Sequence, residues 1–144
     1  DFKKLAISLA FGMTAFLIIS TLFPNGHNLR LEVFPRSNIF IDMVKHLYTI
    51  DTPTNILPSI HVYNTLCIYH AVKNSDLFKN RKIWRGFTSL LAWSIIASTV
   101  FLKQHSIIDV ILAFGLQLPM YMLLYKGLSL KQRSIKRKSQ IETL

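Results

Sequence analysis

Ser98-Thr-Val-Phe-Leu-Lys-Gln-His-Ser-Ile-Ile-Asp109 joins two apolar runs, Ile83 to Leu102 and Ser106 to Tyr125, and its reading decides the architecture. Each run approaches the roughly 20 mostly apolar residues that a bilayer's hydrocarbon demands of a spanning helix. The short polar break between them makes the pair a hairpin. A serine, a histidine and a carboxylate therefore sit at the outer end of a greasy hairpin, and ionisable groups so close to hydrocarbon are candidates for function. Upstream, Pro58-Ser59-Ile60-His61 places a second histidine at the entrance of another apolar segment. Two such histidines suggest a two-histidine active site.

Two further windows, Leu5 to Phe23 and Ile56 to Val72, bring the count to four, so the expected fold is all-α, a polytopic transmembrane helix bundle of four spans. Composition agrees. The 144 residues are 51% hydrophobic, with a mean hydropathy of +0.34 and a formal charge of +10, a combination that soluble globules and disordered tails do not usually show. The first window is too long for the core of a signal peptide and runs into Thr21-Leu-Phe-Pro rather than a small-residue cleavage site, so it is expected to stay in the mature protein. Because the chain opens at Asp1 with a span starting almost at once, sequence before it, including further helices, is expected to be missing. Residues 1–126 read as the membrane domain and 127–144 as a basic tail. Cys67 is the only cysteine, which excludes an intrachain disulfide or a cysteine-based zinc site and leaves it as a small apolar packing residue.

Charge orients the bundle. Lys3 and Lys4 precede the first span, Lys73, Lys79, Arg81, Lys82 and Arg85 surround the second connection, and Lys126, Lys131, Arg133, Lys136, Arg137 and Lys138 follow the fourth span. In a four-span chain all of these share one side, which the positive-inside rule makes cytoplasmic. The loop from Pro24 to Asn55 and the turn Lys103 to His105 then lie on the external face, so both histidine motifs share a side. Nucleic acid is not expected as a partner, because the basic tail carries no interleaved aromatics and suits anionic lipid headgroups instead. The long external loop is expected to hold a short helix, Asn38 to Tyr48, capped by Ser37, with Ile39, Met43, Val44 and Leu47 at helical spacing; it could serve as packing or as a lid at the membrane surface.

The chemistry follows from the two motifs. With Thr54 or Asn55 as a cap and Pro58 in the first turn, Ser59 and His61 are expected at a positive helix end, where unpaired amides favour an anion such as phosphate. His105 and Asp109 are four apart, expected on one face of the fourth helix in hydrogen-bond reach. A carboxylate on one ring nitrogen fixes the tautomer and supports imidazolium, leaving the other nitrogen free to attack phosphorus. Arg30, Arg36 and Lys103, on the same face, would repel a divalent cation and attract phosphate, so no metal is expected. His27, His46 and His70 read as structural or solvated, and Trp84, Trp93, Tyr121 and Tyr125 as packing or interface aromatics.

These residues resemble the type 2 phosphatidic acid phosphatase superfamily, membrane lipid phosphatases related to vanadium haloperoxidases. The family's Pro-Ser-Gly-His is similar to Pro58-Ser59-Ile60-His61, and its Ser-Arg-x5-His-x3-Asp is similar to Ser98-Thr99 followed by His105 and Asp109 at the full spacing. Its Lys-x6-Arg-Pro is matched only by Arg30, with Phe23 at the lysine position and Leu31 after the arginine. The resemblance, from Pro24 to about Tyr125, implies six spans in the full-length protein, His105 as the phosphorylated nucleophile, Asp109 as its orienting partner, and His61 as the acid for the leaving group. It also implies Ser59, Arg30 and Ser98 as phosphate-binding residues and no cofactor. The family arginine is Thr99 here, and Lys103, inside the same motif, is expected to substitute as a point charge. The implied substrate is a lipid phosphate or diphosphate, in an integral membrane protein of the plasma membrane with its site on the external face. Similarity to the inositol phosphoryl transferase branch leaves an alcohol acceptor as the alternative to water, and a scaffold with a degenerate site as a third reading.

Overall fold

The computed structural model describes residues 2–127, and these are all-helical apart from one isolated bridge. Five α-helices follow in order: α1 (Phe2–Leu22), α2 (Ile39–Ile50), α3 (Ile60–Asn74), α4 (Lys82–Phe101) and α5 (Ile107–Tyr121). The apolar windows at 5–23, 83–102 and 106–125 correspond to α1, α4 and α5. The window at 56–72 becomes α3, which starts four residues late because Ser59, not Thr54 or Asn55, is the N-cap and Pro58 lies before it. The helix expected over Asn38 to Tyr48 forms as α2 but starts one residue later, because Asn38 rather than Ser37 caps it, its side chain accepting from the Ile41 amide. In α5, Pro119 lacks an amide hydrogen, and just past it the helix widens into a π turn over Met122–Gly127. Apart from Gly127, the basic tail lies outside the described residues.

Helix α3 is the centre of the bundle, packed against α1, α4 and α5. Its Val62, Tyr63, Leu66 and Cys67 form the core with Ile96 of α4 and Ala113 of α5. The helix α1 can approach because its buried stripe is small: Ser8 and Gly12, one turn apart, are its buried residues. The Tyr63 hydroxyl donates to the Ser8 carbonyl at 2.9 Å, and Ser8 Oγ lies 3.1 Å from Cys67 Sγ.

Beside the apolar core, Ser8, Ser59, Thr99, Gln104, His105, Asp109 and Gln117 are buried, while Ile7, Phe11, Leu17, Trp84, Phe87, Leu90, Trp93, Ile107, Ile111 and Leu118 are exposed. Exposed apolar residues in such number mark a surface for a partner protein or a membrane. Two of the described helices, Phe2–Leu22 and the continuous Ile107–Gly127, are long and apolar enough to cross a membrane. At 1.5 Å per residue α3 is about 22 Å long, shorter than the roughly 30 Å of hydrocarbon, and α4 opens on Lys82 and Arg85.

A Cβ at Gly12 would collide with the Tyr63 ring, so this position sets the distance between α1 and α3. Gly12→Leu is expected to cost about 1–3 kcal/mol of stability through overpacking, read as a lower melting temperature of the detergent-purified protein. In a Tyr63→Ala background the same substitution should cost less. Equal melting of Gly12→Leu and wild type would contradict this packing.

Candidate active site

The two histidine motifs meet because their helices begin side by side. Ser59, fully buried, caps α3 by accepting from the Val62 amide at 3.4 Å, and its own amide donates to the Asp109 carbonyl at 3.3 Å. Ser106 caps α5 in a reciprocal capping box: its hydroxyl accepts from the Asp109 amide at 3.3 Å, and Asp109 Oδ2 accepts from the Ser106 amide at 2.7 Å. His61 on the first turn of α3 and His105 just before the cap of α5 come together, their rings edge to face with centroids 5.6 Å apart. His61 is exposed and His105 is buried.

One geometric expectation is corrected. His105 is not on a face of the fourth helix, because Ser106 claims the cap and the helix starts at Ile107. The fold of the turn still brings His105 Nδ1 to 3.6 Å from Asp109 Oδ2, a charge contact but longer than a hydrogen bond. That carboxylate oxygen is already held by the Ser106 amide, and His105 Nδ1 is a buried nitrogen without a hydrogen-bond partner. Burial and the neighbouring His61 hold the His105 imidazole below its ordinary pKa, with His27 acting in the same sense and Asp109 and Asp51 opposing.

The loop between α1 and α3 folds back over this end of the bundle. Asn25 anchors it, its side-chain oxygen accepting from the Ile56 and Leu57 amides at 2.8 and 3.0 Å, beside the Gly26–Thr54 bridge. Arg30 donates to the carbonyls of Tyr48 and Asp51 and to Asp51 Oδ2 at 3.2 Å, and its guanidinium lies 4.8 Å from the Tyr48 ring centre. The same Asp51 Oδ2 accepts from Gln104 Nε2 at 2.9 Å, while His27 Nε2 lies 2.7 Å from the Gln104 carbonyl and the Tyr48 hydroxyl donates to the Leu102 carbonyl. The loop and α2 are thus tied to Leu102 and Gln104, just ahead of His105.

Of the residues expected from sequence, Ser59, His61, His105 and Asp109 are brought together. The fork of Arg30 is committed to the loop, leaving Nε as a buried donor without a partner. Lys103 is exposed in the turn at a φ of 53°, and Arg36 is exposed. Ser98 Oγ donates to the Ile95 carbonyl, and Thr99 is buried with its hydroxyl on the Ile96 carbonyl, its own carbonyl accepting the Gln104 and His105 amides. His27, expected to be structural or solvated, is structural: it is bonded to this turn, to which Asp51 and Gln104, which no motif marked, also belong. His70 packs 4.1 Å from the Tyr121 ring, away from the site. Among the described residues no three His, Cys, Asp or Glu side chains converge as a metal site. Comparison with protein-family models, curated proteins and solved structures returned no match.

Burial and His61 hold the His105 imidazole below its ordinary value, so the midpoint of its NMR titration is expected below that of a free imidazole. Asp51 opposes that shift, so Asp51→Asn should move the midpoint further down. A midpoint that moves up in Asp51→Asn would contradict the electrostatic arrangement.

Proposed function

We propose that this chain is a four-span, integral-membrane phosphatase that hydrolyses a lipid phosphate or diphosphate through a phosphohistidine at His105. The observation that carries this reading is the edge-on pair His61–His105, backed by the buried Asp109, at one end of a helical bundle with an apolar exterior. In this reading α3 and α4 cross the bilayer with α1 and α5, aided by Lys and Arg side chains that snorkel at the basic end. In the same reading that end is cytoplasmic and the site opens on the external face of the plasma membrane.

The reaction needs a neutral nucleophile and a separate acid. His105 Nε2 attacks phosphorus while the P–O bond to the lipid breaks, and His61, exposed and within ring contact, gives the leaving oxygen its proton. The imidazolium character that develops on His105 is supported through Nδ1 by Asp109, a contact that has to shorten by several tenths of an ångström as substrate binds. Water, deprotonated by His61, then attacks the phosphohistidine and frees His105. Phosphate charge is met by Lys103 in the turn, the Ser59 hydroxyl proton and Arg30 Nε, while Ser98 would have to leave the Ile95 carbonyl to join them. Neither a metal nor an organic cofactor has a role in this scheme.

Full-length protein in detergent, offered a panel of lipid phosphates and diphosphates, is expected to release inorganic phosphate from at least one, with His61→Ala and His105→Ala each reduced by about a hundred-fold or more. Added short-chain alcohols or inositol identify the acceptor: transfer of the phosphoryl group to alcohol at the expense of free phosphate would place the chain with the transferases. No turnover of any panel lipid, or activity that survives both substitutions, would remove the phosphatase reading.

A further inference from the structure

The end of the bundle away from His105 carries a second constellation. Helix α3 begins at the site and α4 ends there, so the 75–81 connection and the helix ends that flank it lie opposite. Between those ends is a cavity of about 250 Å³ lined by Tyr69, Lys73, Arg85, Gly86, Thr88 and Ser89. Lys73 Nζ donates to the Tyr69 hydroxyl at 2.9 Å and sits 5.1 Å over its ring, and Arg85 Nη1 reaches the Lys79 carbonyl at 3.5 Å. Among the described residues neither cation has a carboxylate within ion-pair distance, and the acid of the connection, Asp76, is exposed. Gly86 leaves the mouth open, since a Cβ there would meet nothing within 4 Å.

The cavity continues into apolar surface. Tyr69 and Thr88 also line a second hollow of about 110 Å³ along the same α3–α4 seam, whose other walls include Ile68, Leu91, Ala92 and Ile95. A pair of uncompensated cations with hydroxyl donors above a narrow greasy furrow has the chemistry of a phosphate ester joined to a hydrocarbon chain. Basic pockets between spanning helices select anionic lipid headgroups for this reason. We propose that this seam is a second lipid site, distinct from the His61–His105 site, which holds the headgroup of an anionic phospholipid against Lys73 and Arg85 and one acyl chain along Ile68, Leu91 and Ile95. It rests on the proposed crossing of the bilayer by α3 and α4 and is independent of the phosphatase chemistry.

Native mass spectrometry of the full chain, released from detergent with phosphatidylglycerol or phosphatidylcholine of identical chains, tests it. Wild type is expected to retain one phosphatidylglycerol with roughly ten-fold preference over phosphatidylcholine, since two basic side chains face the headgroup. Lys73→Gln/Arg85→Gln should lose the preference, as should Gly86→Leu, which fills the mouth without altering charge and improves helix propensity. The charge-keeping pair Lys73→Arg/Arg85→Lys should retain it, which separates loss of the site from loss of fold. Soluble glycerophosphoglycerol should fail to displace the lipid; displacement at equal concentration would mean that a free phosphate ester, not a lipid, is the ligand. Equal retention of both lipids by wild type, or a preference that persists in Lys73→Gln/Arg85→Gln or in Gly86→Leu, would overturn the proposal and assign the attraction to the basic tail.

Discussion

Asp109 is the residue on which the two-histidine end of this molecule depends. It is 1% exposed, and a carboxylate so buried survives only if its charge is met. Three features meet it: the Ser106 amide at 2.7 Å, the positive end of α5 where it sits in the first turn, and the His105 ring 3.6 Å away. Its backbone carbonyl in turn receives the Ser59 amide, which sets the start of α3 beside the start of α5. One residue therefore caps a helix, joins two helix entrances and stands behind a histidine. Removing its charge would leave the fold of the turn and the electrostatics of His105 changed together.

The rest of the architecture combines a small apolar core, a set of buried polar groups and many exposed apolar side chains. The core around Tyr63 is small, and close approach of α1 through Ser8 and Gly12 substitutes for bulk. Above it, the loop from Pro24 to Asn55 gains its shape from polar contacts rather than from burial: α2 has no buried residue, yet Tyr48, Arg30 and Asp51 bind it to the turn at Leu102 and Gln104. Hydrogen bonds to charged groups contribute about 1.5–3 kcal/mol each, so this network is able to hold a surface helix that packing alone would not. The loop, the turn and His105 accordingly form one unit whose charges are coupled.

What the sequence made legible was whatever is local. Apolar runs located α1, α3, α4 and α5, helical spacing located α2, and the Ser59–His61 and His105–Asp109 spacings located the residues that the fold unites. Cap positions slipped because several Ser, Thr and Asn residues compete at each entrance: Asn38 displaces Ser37, and Ser59 displaces Thr54 and Asn55. The position of His105 outside α5 turned on the same competition, since Ser106 and Asp109 form the capping box between themselves. His27, Asp51 and Gln104 were invisible for a different reason. Their contacts join residues 77 and 53 apart, which leaves no periodicity or motif to read.

The central claim is that His105 becomes covalently phosphorylated, and the most direct measurement is rapid-quench trapping with a lipid phosphate labelled in its phosphoryl group. Wild type should show protein-bound phosphate that is stable to base, labile to acid and mapped by peptide analysis to His105, and it should be absent from His105→Ala. Label found on another residue, or retained in His105→Ala, would contradict the account and require the two histidines to be reassigned.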